Sequence, residues 1–541
     1  MRKLPAIIVV VILSFASVAQ ALKSPAITFG NISVGKFYTV SVPAEVSYSD
    51  RWPNKWTAGA KLTDETLGHP DALDNWVGWH GQDSVEIVVD LGKNYTIQHA
   101  KLHCASRTDW GIYYPTTVEI YIKDDIGSDW LAYGQTLLPP PDTPGYSDAW
   151  IGVDSNDATA RYVKYSMTHS GNHLFIDELE VLGLIENSWK NVPDWGCYHG
   201  AFPVEEHGYL VINSFETLVQ KKLSMVLWYA TMGTCGFASY LGPLWTGQYG
   251  LASNLDYEGS RYLEIGWEPD DYVTAEDVAS GLYDIYFEQW FIESIDYQNR
   301  GGNNDPVWIR AMSEMNGAWT FPGNAAAWGG HPLNYRRAWR RMYNIAEQVG
   351  AEKHHIFLWS PNGISYPDAP WNAPIEYYPG DGYVDWVGLS VYVQGDNPYP
   401  PAIIQPFYDI WSYKPMMISE GAYSTKEGID PQLWVNDWFD VQYNFPMIKA
   451  IVWFNASKHE LTQLDPVVLS TYRQRVSHPY FLRQSIAGIL DYNADYCINF
   501  PDYAAFSSNW TAQGSNYYGD VNGDNSVDMD DLAIIMSNWL D

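Results

Sequence analysis

Two rhythms of apolar and polar residues divide this chain. From 28 to 185, short runs alternate with a period of two, as in Val85-Glu-Ile-Val-Val-Asp-Leu91, Thr117-Val-Glu-Ile-Tyr-Ile122 and Arg161-Tyr-Val-Lys-Tyr165, with Gly, Pro and Asp between them. Such alternation turns one face of each strand to a core and the other to water, so it predicts an all-β sandwich. From 190 to 485, short apolar runs are separated by longer stretches of helical period. That pattern predicts a parallel sheet covered by helices. Eight runs qualify as its strands: 196–202, 225–229, 262–267, 307–312, 356–359, 386–392, 415–419 and 450–454. Helical stretches between them include 275–292 and 334–349. Eight β/α units in a segment of this size predict a closed (β/α)₈ barrel of TIM type. An open doubly wound sheet would want a Gly-rich phosphate turn after its first strand, and none follows Phe202.

The two ends read differently. Residues 1–21 combine Met1-Arg-Lys3, an apolar run from Ala6 to Ala16 and the small-residue Ala19-Gln-Ala21, the three regions of a secretory signal. The apolar run is too short to span a bilayer comfortably, and no later segment approaches that length. The expectation is a secreted, extracellular protein without a membrane span. In the tail, 488–541, Asp491-Tyr-Asn-Ala-Asp495 recurs as Asp520-Val-Asn-Gly-Asp524, Asp502 as Asp531, and Trp510 as Trp539. Two copies that short form a paired motif rather than a solenoid.

Charge narrows the partners. The net charge is −33, from 64 acidic and 31 basic residues, which disfavours nucleic acid and anionic membranes and suits a neutral polysaccharide. The 26 Trp and 40 Tyr lean the same way, since sugar rings stack on aromatic faces. Four scattered cysteines with no C-x-x-C pair argue against a zinc site or a disulfide framework.

The candidate chemistry lies in two carboxylates. Glu314, in Ile309-Arg-Ala-Met-Ser-Glu-Met-Asn-Gly-Ala-Trp319, follows the fourth barrel strand, and Glu420, in Lys414-Pro-Met-Met-Ile-Ser-Glu-Gly-Ala422, the seventh. All strands of a parallel barrel end at one rim, so residues distant in sequence meet there. Glycosidic cleavage needs one protonated carboxyl for the leaving oxygen and a second carboxylate across the sugar. At a separation of about 5–5.5 Å the second acts as nucleophile, with retention of configuration.

These motifs, with Trp359-Ser-Pro-Asn362, Tyr383-Val-Asp-Trp-Val-Gly-Leu-Ser-Val-Tyr392 and Ile451-Val-Trp-Phe-Asn455, resemble glycoside hydrolase family 26, of the clan of retaining (β/α)₈ enzymes. The resemblance implies Glu314 as acid/base and Glu420 as nucleophile, with no cofactor for catalysis. It also implies substrate contacts from Trp319 and Asn316, a sugar floor from Trp453, and a hydrogen bond from Tyr392 to the nucleophile. The family usually has His before the acid/base, where this chain has Ser313. The implied activity is retaining endo-β-glycanase, with β-1,4-mannan the first-choice substrate. The alternatives are mixed-linkage β-glucan, β-1,3-xylan, or an inactive carbohydrate-binding or adhesion protein.

The first segment carries Ala60-Lys-Leu-Thr-Asp64, Val89-Asp-Leu-Gly92, Gly111-Ile-Tyr-Tyr-Pro115 and Phe175-Ile-Asp-Glu-Leu-Glu-Val181. It resembles the discoidin (coagulation factor type C) jelly roll shared by family 32 carbohydrate-binding modules, which implies a structural Ca²⁺ near Asp64 and Glu178. In the tail, Asp520, Asn522, Asp524, Asp528 and Asp531 have the oxygen spacing of a calcium loop, as do Asp491, Asn493, Asp495, Asn499 and Asp502. Each set leads into a short predicted helix. The tail resembles a dockerin, which implies two bound Ca²⁺ ions and a cohesin-type partner on a scaffold or cell surface.

Overall fold

The computed structural model describes residues 27–45, 48, 61–69, 75–186, 189–193, 196–203, 212–233, 261–269, 273–301, 306–321, 328–478 and 480–482. Of the tail it describes 507, 510, 526–529 and 531–532. The expected signal 1–21 and eight of the tail's ten oxygen ligands therefore lie outside the described residues. Asp528 and Asp531 lie within them, where the Asp531 carboxylate accepts the Asp528 N–H at 2.8 Å.

The alternating segment forms an antiparallel sandwich: β1 (Ile27–Asn31), β2 (Tyr38–Val40), β3 (Val77–His80), β4 (Ser84–Arg107), β5 (Thr117–Lys123), β6 (Leu131–Ala132), β7 (Tyr146–Thr168) and β8 (His173–Glu186). The strands run in the order β1-β8-β4-β7-β5-β6, with β2 on β4 and β3 on β8. Two of them are far longer than the runs that announced them. β4 and β7 stay paired through register shifts at Asp90/Tyr95 and Ile97/His99, where extra residues bend the ribbon. Val85, Ile87 and Val89 of β4 pack with Val118, Ile120, Val163 and Tyr165 in one core, as the alternation requires.

The second segment closes as a parallel barrel of eight strands: β9 (Cys197–Pro203), β10 (Met225–Met232), β11 (Tyr262–Pro269), β12 (Val307–Ala311), β13 (His355–Trp359), β14 (Trp386–Tyr392), β15 (Met416–Ala422) and β16 (Ile448–Asn455). β9 pairs with both β10 and β16, which completes the ring. Each of the eight apolar runs became one strand. The expected helix 275–292 is two helices, Ala275–Ala279 and Asp284–Gly301, parted at Gly281 with φ +82°. The other, Pro332–Gln348, lies close to its expected bounds.

Strand parity sorts the barrel side chains. Tyr198, Met225, Leu227, Tyr262, Trp308, Ile356, Leu358, Trp386, Met417, Ala450 and Val452 fill the interior. Their neighbours in sequence point outward into the helical layer, where Trp267 stacks on Trp290 at 4.1 Å between ring centres. Among the described residues twelve tryptophans are fully buried, so much of the aromatic excess is core rather than sugar platform.

The sandwich and the barrel meet on the helix Pro332–Gln348. Lys36 reaches Glu347 at 2.8 Å and Asn344 at 3.1 Å in a buried site. Burial works against its charge, yet Glu347, with Tyr383 and Tyr95, holds its pKa above the ordinary value. Around it Arg337 pairs with Asp64 at 2.7 Å, Arg340 with Glu65 at 3.0 Å, and Asn344 donates to the Gly35 carbonyl at 2.6 Å. Gly35 has φ +73°, and a Cβ there would press on the Arg340 side chain at 3.0 Å. Lys36–Glu347 is the dry pair of this seam and holds a fixed orientation, because separating it strands a buried ion, whereas Asp64, Glu65 and Arg337 keep partial contact with solvent. Among the described residues no helix is long and apolar enough to cross a membrane.

Candidate active site

The two glutamates reach the barrel rim by different routes. Glu314 lies just beyond β12, in a turn where Met312 has φ +47° and Glu314 itself φ +56°. Side-chain-bearing residues seldom adopt that left-handed conformation, and where they do the surroundings must enforce it. Here the Met312 N–H bonds to the Trp267 carbonyl at 3.0 Å and the Glu314 N–H to the Ser360 carbonyl at 2.9 Å. The turn is thereby tied to the strands on either side.

Glu420 is not at a strand end but inside β15. Simple alternation from Met417 would face Ser419 inward and Glu420 outward. The register against β14 steps from Leu389↔Ile418 to Ser390↔Glu420, so Ser419 is an extra residue. That bulge turns Glu420 inward as well, while the Ser419 hydroxyl meets that of Ser360 at 2.6 Å.

Three donors then grip Glu420. Tyr392 donates to one carboxylate oxygen, Tyr229 to the other, and Arg310 reaches that second oxygen at 2.7 Å. Arg310 is fully buried and committed throughout: Nε to Ser360 at 3.1 Å, Nη1 also to Tyr229 at 3.2 Å, Nη2 to Ser390 at 3.0 Å. Below it lies Glu264, also fully buried, its carboxylate 4.0 Å from Arg310 Nε. Burial pushes Glu264 up to about 8, against the pull of Arg310.

Glu314 has a different setting. Burial first, then the charge of Glu420, push its carboxyl up to about 7, while Arg310, Ser390 and Trp319 pull the other way. The Trp319 indole N–H donates to Glu314 at 3.0 Å. One carboxyl is thus poised to hold a proton near neutral pH, while the other is held in place by three hydrogen-bond donors. That is the division of labour glycosidic cleavage requires.

Trp319 is 42% exposed, beside Tyr366 at 6.0 Å between ring centres, and Phe321 pairs with the half-exposed Trp371 at 5.9 Å. These rings line one side of the rim next to Glu314.

Two expectations are corrected. Trp453 is no sugar floor: it is 1% exposed and packs outward against Trp434, Trp438 and Tyr472. Ala450 and Val452 take the inward positions of β16, so Phe454, stacked on Phe202, is its side chain at the mouth. Asn316 is fully buried and its amide is spent on the neighbouring loop. It accepts the Asn362 N–H at 2.8 Å and donates to the Asn362 carbonyl at 2.9 Å and to Ser365 at 3.1 Å. It braces the rim rather than touching sugar.

Sequence reading missed Arg310, Tyr229, Glu268, Tyr366 and Trp371. For Arg310 and Glu268 a signal existed, since a charge at an inward position of an apolar strand needs a partner or a task. The loop aromatics carry none.

In the sandwich, Glu178 is buried with neither oxygen in a well-formed hydrogen bond. Burial, then the charges of Asp64, Asp177 and Glu65, push it up to about 10. Such a carboxyl needs a proton or a cation, and among the described residues no group of three or more His, Cys, Asp or Glu side chains is placed to hold a metal ion there. Asp64 is no better placed, because Arg337 and the Thr66 N–H at 2.8 Å already hold its two oxygens.

A closed parallel barrel with an acid and a caged carboxylate at its C-terminal rim is an arrangement chemically able to cleave a glycosidic bond. Residues 291–461 match glycosyl hydrolase family 26, and residues 43–179 match the F5/8 type C domain. It is similar to Endoglucanase H of Acetivibrio thermocellus, 24% identical over 52% of this chain and 30% of that protein. It is similar to the β-1,3-xylanase TXYA of a Vibrio species, 22% identical over 39% of this chain and 50% of that one. A mannan endo-1,4-β-mannosidase of Bacillus subtilis is 31% identical over 16% of this chain and 24% of its own length. The chain thus spans between a quarter and a half of these relatives.

Proposed function

We propose that this chain is a secreted, retaining endo-β-glycanase, with β-1,4-mannan its first substrate among plant-type polysaccharides. The observation that carries the reading is the unequal pair, Glu314 pushed up to about 7 beside a Glu420 caged by Tyr392, Tyr229 and Arg310. Glu420 attacks the anomeric carbon while Glu314 protonates the leaving oxygen. Glu314, now ionised, then takes the proton of the water that releases the sugar. The test is reducing-sugar release from mannan, lichenan, β-1,3-xylan and cellulose, with the first-formed anomer read by NMR. Release of β-anomer supports the reading. No release from any of the four, or α-anomer first, overturns it.

Because Glu314 acts first as an acid, hydrolysis should fall as pH rises through about 7, where its proton is lost. Glu314→Ala should slow polymer hydrolysis by about 10²–10⁴-fold and spare substrates whose leaving group needs no proton. Equal slowing of polymer and of an activated aryl glycoside would reassign the acid.

The sandwich is proposed to bind carbohydrate, with Ca²⁺ near Glu178, and the tail to bind Ca²⁺ and a cohesin-type scaffold. Calcium should raise the melting temperature of the sandwich, and Glu178→Gln should abolish that response, while Asp520→Ala should weaken Ca²⁺ binding by the tail more than Asp491→Ala, as calorimetry would read. A melting response unchanged in Glu178→Gln would remove the sandwich ion.

A further inference from the structure

The cleft holds a carboxylate that the two-glutamate chemistry leaves idle. On β11 the side chains of Tyr262, Glu264 and, by alternation, Gly266 and Glu268 face the barrel interior, while Leu263, Ile265 and Trp267 pack outward. Gly266 stands level with Arg310 and Trp267 with Ala311, which puts Glu268 at the rim beside Ser313 and Glu314. In a ring of eight strands the third stands opposite the seventh, so Glu268 faces Glu420 across the mouth. Its field acts on Tyr229, and in return Arg310, Glu420 and Glu314 act on it.

We propose that Glu268 is a sugar-binding carboxylate, which accepts hydrogen bonds from neighbouring hydroxyls of the ring held between Glu314 and Glu420 and so helps to select that ring. The proposal rests on the glycanase reading and deepens it. Acids that only support this fold are matched: Asp284 to Arg341 at 2.7 Å, Glu216 to Arg261 at 2.8 Å, Asp90 to Arg161 at 2.7 Å. Among the described residues no cation lies within ion-pair distance of Glu268. The nearest, Arg310, is already spent on Glu420, Tyr229, Ser360 and Ser390. Glu264, two pleats deeper, is sealed from solvent, whereas Glu268 is only partly buried. A carboxylate without a cation wants donors, and a pair of adjacent sugar hydroxyls supplies two. A site built for a hydroxyl discriminates by the hydrogen bond it loses when that hydroxyl is absent or inverted.

Burial and then Glu420 and Glu314 push Glu268 up to about 7, while Arg310 and the Ser313 hydroxyl favour its anion. As an acceptor it works best ionised, so KM should improve as pH rises through about 7. The rate of the chemical step moves the other way as Glu314 loses its proton.

The test compares full-length wild type with Glu268→Gln, an isosteric change, on manno- and gluco-configured β-1,4 oligosaccharides. KM should rise about tenfold for the preferred sugar with kcat changed much less, the preference between the two sugars should shrink, and the pH dependence of KM near 7 should disappear. A merely structural role would lower the melting temperature and leave the sugar preference and the KM profile alone. An unchanged KM, preference and profile would overturn the proposal while leaving the glycanase reading in place. A wild type inactive on every glycan would instead overturn that reading, and this proposal with it.

Discussion

Replacing Glu420 by Ala should abolish hydrolysis, with a loss in kcat on the order of 10⁵ or more, and leave the barrel folded. The size follows from its role. Without the carboxylate no covalent intermediate forms, and what remains is the acid and the binding energy, which act on a step that no longer has a nucleophile. The fold should survive because the carboxylate sits at the barrel mouth and Arg310 keeps its other contacts. Its removal frees Tyr392 and Tyr229, which reach the cleft, and leaves Arg310 with Glu264, Ser360 and Ser390. Circular dichroism and melting should therefore match wild type while turnover on polymer vanishes. Retained turnover would require a different nucleophile.

Arg310→Met should be nearly as severe in activity and far worse for stability. The guanidinium is the one cation that the site's carboxylates share among the described residues: it touches Glu420 at 2.7 Å and stands 4.0 Å from Glu264. Methionine fills much of the volume but leaves Glu420 facing Glu264 across an apolar side chain. Breaking a buried pair in this way costs about 3–5 kcal/mol. Losing a preorganised charge at the nucleophile should cut kcat by about 10²–10³-fold. Lysine should rescue only in part, since one ammonium cannot reach Glu420, Ser360 and Ser390 together. Urea melts combined with single-turnover kinetics would check both halves. A stable, active Arg310→Met would show that Glu420 needs no cation.

Much of this molecule can be read from the chain, for a reason particular to buried parallel strands. Each is a short, mostly apolar run bounded by polar residues, as Met225-Val-Leu-Trp-Tyr229 and Ile356-Phe-Leu-Trp359 show, so the count of eight survives folding. Facing is harder to read, because an error of one residue inverts it. Trp453 illustrates this: a tryptophan near a strand end reads as a sugar platform, yet the parity of Ala450 and Val452 sends it to the helical layer. The bulge at Ser419 is the converse case, since nothing in Met416-Met-Ile-Ser-Glu420 announces an extra residue. The acid/base turn is silent too, because positive φ at Met312 and Glu314 is imposed by the carbonyls of Trp267 and Ser360 on neighbouring strands. Asn316 was misread for a third reason: a polar residue in a catalytic motif serves loop geometry as readily as ligand.

The charged seam along the helix Pro332–Gln348 changes what modularity means for this chain. Domains strung together as beads can be exchanged freely, since a linker makes no demands on what it joins. Here the barrel's own helix supplies Arg337, Arg340, Asn344 and Glu347 to the sandwich, and the sandwich answers with Asp64, Glu65, Gly35 and Lys36. A chimera that grafts a foreign sandwich onto this barrel would inherit an orphaned Glu347 and two unmet arginines. Any transplant of the sandwich should therefore carry the matching helix face with it, which makes the exchangeable unit the pair rather than either half.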